Sequence, residues 1–148
     1  MAGCAVDSEK KEDRAEDMLS RLKYDWPGIA QNTWVDESDI PEYLSFYDEV
    51  PYRIDNLLIG YVRYDNGKNG YRLIFQVSAP SDDVNSHYGD AMVKSELWNM
   101  KGSDYVEEIS SFLLESDHHE MIIATAWCGE TTTCVVIQTS LKESVELE

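Results

Sequence analysis

Apolar and polar residues alternate most clearly in residues 56–80, NLLIGYVRYDNGKNGYRLIFQVSAP. Leu57 to Tyr64 and Tyr71 to Ser78 are rich in aliphatic, aromatic and β-branched side chains, the types that suit a pleated, half-buried surface. Between them runs Asp65-Asn66-Gly67-Lys68-Asn69-Gly70. Asn, Asp and Gly accept positive φ at little steric cost, so the stretch predicts a β-hairpin. In its second strand Tyr71, Leu73, Phe75 and Val77 point one way, and Arg72, Ile74, Gln76 and Ser78 the other. That predicts one buried face and one mostly wet face. The first strand is apolar on both sides, Leu57, Ile59 and Tyr61 against Leu58 and Val62, and is expected deeper in the sheet. Gly60 within it signals a bulge or a close approach of another backbone.

A second alternating pair, Met121 to Cys128 and Thr132 to Leu141, surrounds Gly129-Glu130. Gly at the first turn position suits a type II′ hairpin turn. Elsewhere the spacing is helical. Asp7 to Lys23 predicts a helix capped by Asp7 or Ser8, with the narrow stripe Ala15, Met18, Leu19 and Leu22. The rest of its surface is charged, which predicts a weakly docked arm. Trp26-Pro27-Gly28 ends it. Gly28 to Glu37 reads as irregular, anchored by Trp34. Pro41 opens a short helix through Asp48 whose face is Tyr43, Leu44 and Tyr47. Ser81 to Gly89 reads as a polar loop. Asp90 to Met100 is ambiguous between helix and strand, and Met92, Val93, Leu97 and Met100 favour the helix. Asp104 and Glu107 form a capping pair for a helix to Ser116 with the stripe Val106, Ile109, Phe112 and Leu113.

These elements predict an α+β fold: an antiparallel sheet of about four strands, in two hairpins, with helices packed mainly on one face. The expected division is an acidic N-terminal helix or arm over residues 1–23 and a single domain over residues 24–146, with 147–148 read as a cloning remnant. No internal repeat is visible.

Composition adds limits. A chain of 148 residues with 43% hydrophobic residues builds one folded domain with a sizeable core. No apolar run reaches membrane-spanning length and the first residues lack the apolar stretch of a secretory signal, so the expected location is cytoplasmic. Met1-Ala2-Gly3-Cys4 has the form of a lipoprotein cleavage box, without the apolar stretch that precedes one. Three cysteines and no export signal imply reduced thiols, with Cys128 and Cys134 read as small apolar strand residues flanking a turn.

Charge changes the picture most. The net charge is −17. Residues 1–50 carry 13 acids and 5 bases, residues 51–100 carry 6 and 5, and residues 101–148 carry 10 and 2. The flanks are acidic and the central hairpin nearly neutral. Such a field attracts basic partners and repels nucleic acid, whose affinity for proteins comes from Lys and Arg on its phosphates.

The candidate chemistry is sparse. His118-His119-Glu120, with Glu115 and Asp117 close by, carries groups that ligate zinc or exchange protons. Adjacent histidines point in different directions, however, and the spacing is not the one that sets two ligands on one helix face. Polar residues are ordinary in the turn expected there. Cys128-Gly129-Glu130 sets a thiol beside a carboxylate with no local histidine. The Gly67–Gly70 run lacks the Lys-Ser/Thr and the following helix of a phosphate loop and reads as a turn. No cofactor is expected.

The segment from Trp26 to Tyr52 is more informative. Trp34, Tyr43 and Tyr47 stand among Asp36, Glu37, Asp39, Glu42, Asp48 and Glu49. Aromatics that only cap the core would account for this; so would an interface in which aromatics supply binding energy and acids steer a basic partner. The expectation taken forward is a non-enzymatic acidic inhibitor that occupies the basic nucleic-acid-binding surface of a partner such as a nuclease, its carboxylates standing in for phosphates. Small phage inhibitors of restriction or CRISPR nucleases share this size and charge. The alternatives are an immunity or antitoxin protein neutralising a cognate toxin, and a small metal- or His-dependent enzyme using the His118–Glu120 region.

Overall fold

A computed structural model describes residues 10–11, 13–18, 28–106, 108–129 and 131–142. Its centre is one sheet of seven strands: β1 (Ile29–Val35), β2 (Ile54–Tyr64), β3 (Asn69–Val77), β4 (Asn99–Val106), β5 (Ile109–Glu115), β6 (His119–Gly129) and β7 (Thr132–Leu141). The spatial order is β1-β2-β3-β7-β6-β5-β4, and every neighbouring pair is antiparallel. Residues 10–11 and 13–18 are helical and are labelled α1. Two 3₁₀ helices, Glu37–Asp39 and Glu42–Asp48, lie in the connection from β1 to β2. Helix α2 (Ser81–Lys94) joins β3 to β4. The chain therefore makes one three-stranded and one four-stranded meander, and β7 pairs with β3 to fuse them.

The two alternating stretches form hairpins, β2–β3 and β6–β7, in one sheet. In the first turn Gly67 takes φ 87°, where a residue without Cβ meets no steric penalty. Asn66 Oδ1 accepts the Lys68 amide at 2.9 Å, the side-chain mimicry that favours Asn in turns. The bulge in β2 falls between Asp55 and Leu58, with Asn56 at φ 57°, rather than at Gly60.

The four-stranded α+β picture is overturned by the other elements. Asp104 to Ser116 is not a helix but mostly the β4–β5 hairpin. Ser110, Phe112 and Leu114 alternate toward one face and Ile109, Ser111 and Leu113 toward the other. Because both faces receive apolar residues, positions 109, 112 and 113 imitate a helical stripe. Residues 28–37 are mostly strand, not irregular, since β1 pairs with β2 from Ile29 to Val35. The supposed loop from Ser81 is the first half of α2, and the helix expected over 90–100 ends at Lys94. Pro80 caps α2, Asp82 and Asp83 sit in its first turn where they favour the helix dipole, and only Val84, Tyr88 and Met92 are buried. Gly89 does not break it: a Cβ there would meet the Phe112 ring at 3.1 Å, so glycine lets α2 lie close on β5.

Neither sheet face is mostly wet. One buries Leu73, Phe75, Val77, Met121, Ile123, Val135 and Ile137 under α2 and the longer 3₁₀ helix, with Leu44, Tyr47, Val84 and Tyr88. On the other, Ala15 and Met18 of α1 pack over Leu58, Ile74, Ala124, Ala126, Cys134 and Val136. Helical elements thus cover both faces, not one. The first strand of the β2–β3 hairpin is second from an edge, while β3 lies nearer the central β7. The rest of the predicted N-terminal helix, Met1-Ala2-Gly3-Cys4 and Leu147-Glu148 lie outside the described residues.

Candidate functional site

The acidic segment singled out from the sequence is the connection between β1 and β2. Its longer 3₁₀ helix repeats every three residues, so side chains at i and i+3 eclipse and form three rows. Leu44, Tyr47 and Val50 make the buried row, each under 9% exposed. Tyr43, Phe46 and Glu49 make a flanking row, with Tyr43 and Phe46 partly buried against the same core. Glu42, Ser45 and Asp48 face outward and are exposed. The sequence reading placed Tyr43, Leu44 and Tyr47 on one face because it assumed 3.6 residues per turn.

Internal bonds hold this helix in place. Tyr88 of α2 donates its hydroxyl to the Tyr47 carbonyl oxygen at 2.7 Å, a buried bond. Tyr47 donates its own hydroxyl to Glu37 at 2.8 Å. Burial first, and the Glu37 carboxylate second, raise the Tyr47 pKa, so the hydroxyl keeps its proton. Asp39 Oδ2 accepts the Asp36 amide at 3.0 Å and caps the first 3₁₀ turn. His87 Nε2 hydrogen-bonds the Glu49 carbonyl oxygen at 3.0 Å.

A cleft opens between this helix and the C-terminal half of α2. It encloses about 270 Å³ and is lined by Glu42, Tyr43, Phe46, Glu49, Leu97 and Trp98, among others. Tyr43 and Trp98 meet with ring centroids 6.2 Å apart, tilted by 57°. Tyr43 also stacks on His119 at 4.2 Å. Trp98 is only 3% exposed, and its indole Nε1 has no hydrogen-bond partner among the described residues.

The structure divides the predicted site. Glu42, Tyr43 and Glu49 come together at the cleft; Asp36, Glu37, Asp39 and Asp48 lie exposed on the same connection. Tyr47 is core. Trp34 is apart from them: it pairs with Gly60 at the β1–β2 ladder and packs against the cluster beneath α1. Phe46 and Trp98 were missed. A period-3 reading of EYLSFYDEV would have put Phe46 between Tyr43 and Glu49. Trp98 carries a weaker signal, a lone large aromatic in a short polar stretch.

The histidine and cysteine candidates resolve differently. His118 is exposed in the β5–β6 turn, His119 stacks on Tyr43, and Glu120, the next residue along β6, points to the opposite face. Burial first, and the neighbouring His118 second, lower the His119 pKa. Among the described residues, no group of three or more His, Cys, Asp or Glu side chains is arranged to hold a metal ion. Cys128 and Cys134 are not free thiols: they form a disulfide across β6 and β7, with Cα atoms 5.7 Å apart. This removes Cys128 as a nucleophile in this state. The odd cysteine count pointed to reduced thiols, but the two flank one turn, with Cys128 in the bulge between Trp127 and Gly129.

A second groove of about 370 Å³ lies on the α1 side of β4–β6, lined by Gly102, Ser103, Asp104, Ser111, Leu113 and Ile122. It gathers one carboxylate and no aromatic ring. No helix among the described residues is long and apolar enough to cross a membrane. Comparison with protein-family models, with curated proteins and with solved structures finds no match.

Proposed function

We propose that this protein is a binding domain without catalytic activity, and that the β1–β2 connection engages the basic surface of a protein partner. The observation that carries this reading is a set of unneutralised acids on one connection. Asp36, Glu42, Asp48 and Glu49 are exposed, and none makes an ion pair among the described residues. No lysine or arginine stands between Lys23 and Arg53 in the sequence. Glu115, by contrast, is held between Lys101 at 3.3 Å and Lys142 at 3.4 Å. Carboxylates left without a cationic partner on a firmly hydrogen-bonded scaffold are suited to pairing with cations of another molecule. A partner that normally binds phosphates presents such cations, so an inhibitor of a nucleic-acid-binding protein or nuclease remains the leading form of the proposal.

The disulfide favours a second form. Disulfides persist in oxidising compartments and are rare in the cytosol. A chain that carries one in its native location is better suited to a partner met outside the cytoplasm, as an immunity protein against a secreted basic toxin would be. Capture of partners from the source cells, with the chain in both redox states, tests both forms. A partner that releases nucleic acid on binding supports the first. A partner that keeps its nucleic acid at unchanged affinity, or has none, supports the second. Failure to bind any basic protein at low salt would defeat the proposal.

A further inference from the structure

We infer that the cleft between the longer 3₁₀ helix and α2 is a socket for a single basic side chain, a lysine ammonium or an arginine guanidinium carried on the protein partner; this rests on the basic-partner reading above. Size comes first. At about 270 Å³ the cleft is smaller than the roughly 300–1,000 Å³ typical of small-molecule sites, and suits one long side chain.

Charge and shape come next. Glu42 and Glu49 both line the cleft, and neither is in an ion pair among the described residues. The walls between them are aromatic, from Tyr43, Phe46 and Trp98. A cation over an aromatic face is attracted by the ring quadrupole, and the attraction grows as water is excluded. His119, stacked on Tyr43, does not oppose a cation near neutral pH, because burial keeps the imidazole uncharged there.

The buried indole narrows the ligand further. Trp98 Nε1 is a donor without an acceptor among the described residues, in a ring that lines the cleft. A buried donor left unmet is costly, and such groups in a folded protein call for an explanation. Ammonium and guanidinium groups have only donors to offer. A peptide backbone that carries the cation also supplies carbonyl oxygens as acceptors. A free polyamine supplies none.

The test is a titration of the intact protein followed by the indole N–H resonance of Trp98, assigned with Trp98→Phe. The probes are Nα-acetyl-lysine methylamide, its neutral isostere Nα-acetyl-norleucine methylamide, and 1,4-diaminobutane. The lysine derivative is expected to shift the Trp98 signal saturably, the norleucine derivative not at all, and the diamine less. Glu42→Gln and Glu49→Gln, both at exposed positions, should each weaken the lysine probe about three- to ten-fold. Equal responses to lysine and norleucine, a larger response to the diamine, or an unchanged response in both glutamate variants would overturn the socket. Oligolysine separates this failure from that of the broader reading. If oligolysine binds in a salt-dependent way while Trp98 stays silent, only the socket fails. If it does not bind, both fail.

Discussion

The hydroxyl of Tyr88 donates to the carbonyl oxygen of Tyr47 at 2.7 Å, tying α2 to the longer 3₁₀ helix inside the core. With the exposed His87–Glu49 bond, it joins the two walls of the cleft. It also meets a need of the 3₁₀ helix, whose last carbonyl groups have no partner within the helix. Tyr88→Phe keeps the ring and deletes the donor, leaving the Tyr47 carbonyl buried and unmet. The expected loss is about 1–3 kcal/mol in urea unfolding, with an unchanged m-value. A Tyr88→Phe protein as stable as the parent would mean that packing and the His87–Glu49 bond hold the two walls without it.

The disulfide between Cys128 and Cys134 closes a short hairpin loop beneath α1. Its sequence separation is 6, and a loop that short restricts the unfolded chain by about 2 kcal/mol in the chain-entropy account. Reduction with a dithiol should lower the urea midpoint correspondingly, and the Cys128→Ala, Cys134→Ala double variant should match the reduced protein. Identical unfolding of oxidised and reduced protein would show that the bridge adds nothing to the β6–β7 ladder.

How far these features were legible depends on how many faces an element buries. β3 and β7 were readable because turn residues bound their apolar runs, Asn66-Gly67 before one and Gly129 before the other. Hairpin β4–β5 was not. Its turn at Glu108 takes φ 69° without a glycine or asparagine, and Phe112 and Leu113 serve opposite faces. In β1, Ala30, Gln31 and Asn32 obscure a strand that only pairing with β2 defines. Helix α2 buries three residues, too narrow a stripe to stand out. At the site, the acids and Tyr43 were legible as a cluster. That Tyr47 belongs to the core and Trp34 to the opposite face follows from a period of three and from strand pairing, neither of which composition reveals.

His119 makes stability depend on pH. In the unfolded chain its imidazole takes a proton near the ordinary 6.5; in the folded chain burial against Tyr43 resists that proton. Between the lowered folded pKa and 6.5 the unfolded state binds more protons, so stability rises with pH across that window. Acidification from pH 7 to 5 should therefore destabilise the protein. His119→Phe, which keeps a ring for the stack, should show a shallower loss over the same range. An unchanged slope of unfolding free energy against pH in that variant would assign the acid sensitivity elsewhere.

Association with a basic partner should be led by charge, and the structure says which charges are available. Glu37 is engaged by Tyr47 and Asp39 by the Asp36 amide, so replacing them disturbs the scaffold as well as the field. Asp36, Glu42, Asp48 and Glu49 are the better set: all are exposed, and only Asp36 has a side-chain bond in the scaffold, to the Asp39 amide, which asparagine also accepts. Opposite charges attract over about 8 Å at physiological salt, and the association rate should fall steeply as salt rises. The variant Asp36→Asn, Glu42→Gln, Asp48→Asn, Glu49→Gln should fold as the parent does and associate about ten- to hundred-fold more slowly at low salt. Its deficit should shrink as salt is added, because screening already removes the steering that the substitutions delete. Trp34→Ala should behave differently, losing stability through the packing beneath α1 and leaving the association rate of the folded protein unchanged. Stopped-flow association across a salt series, with the folded fraction measured in parallel, separates these outcomes. A four-charge variant that associates as fast as the parent at every salt concentration would remove the β1–β2 connection from the interface.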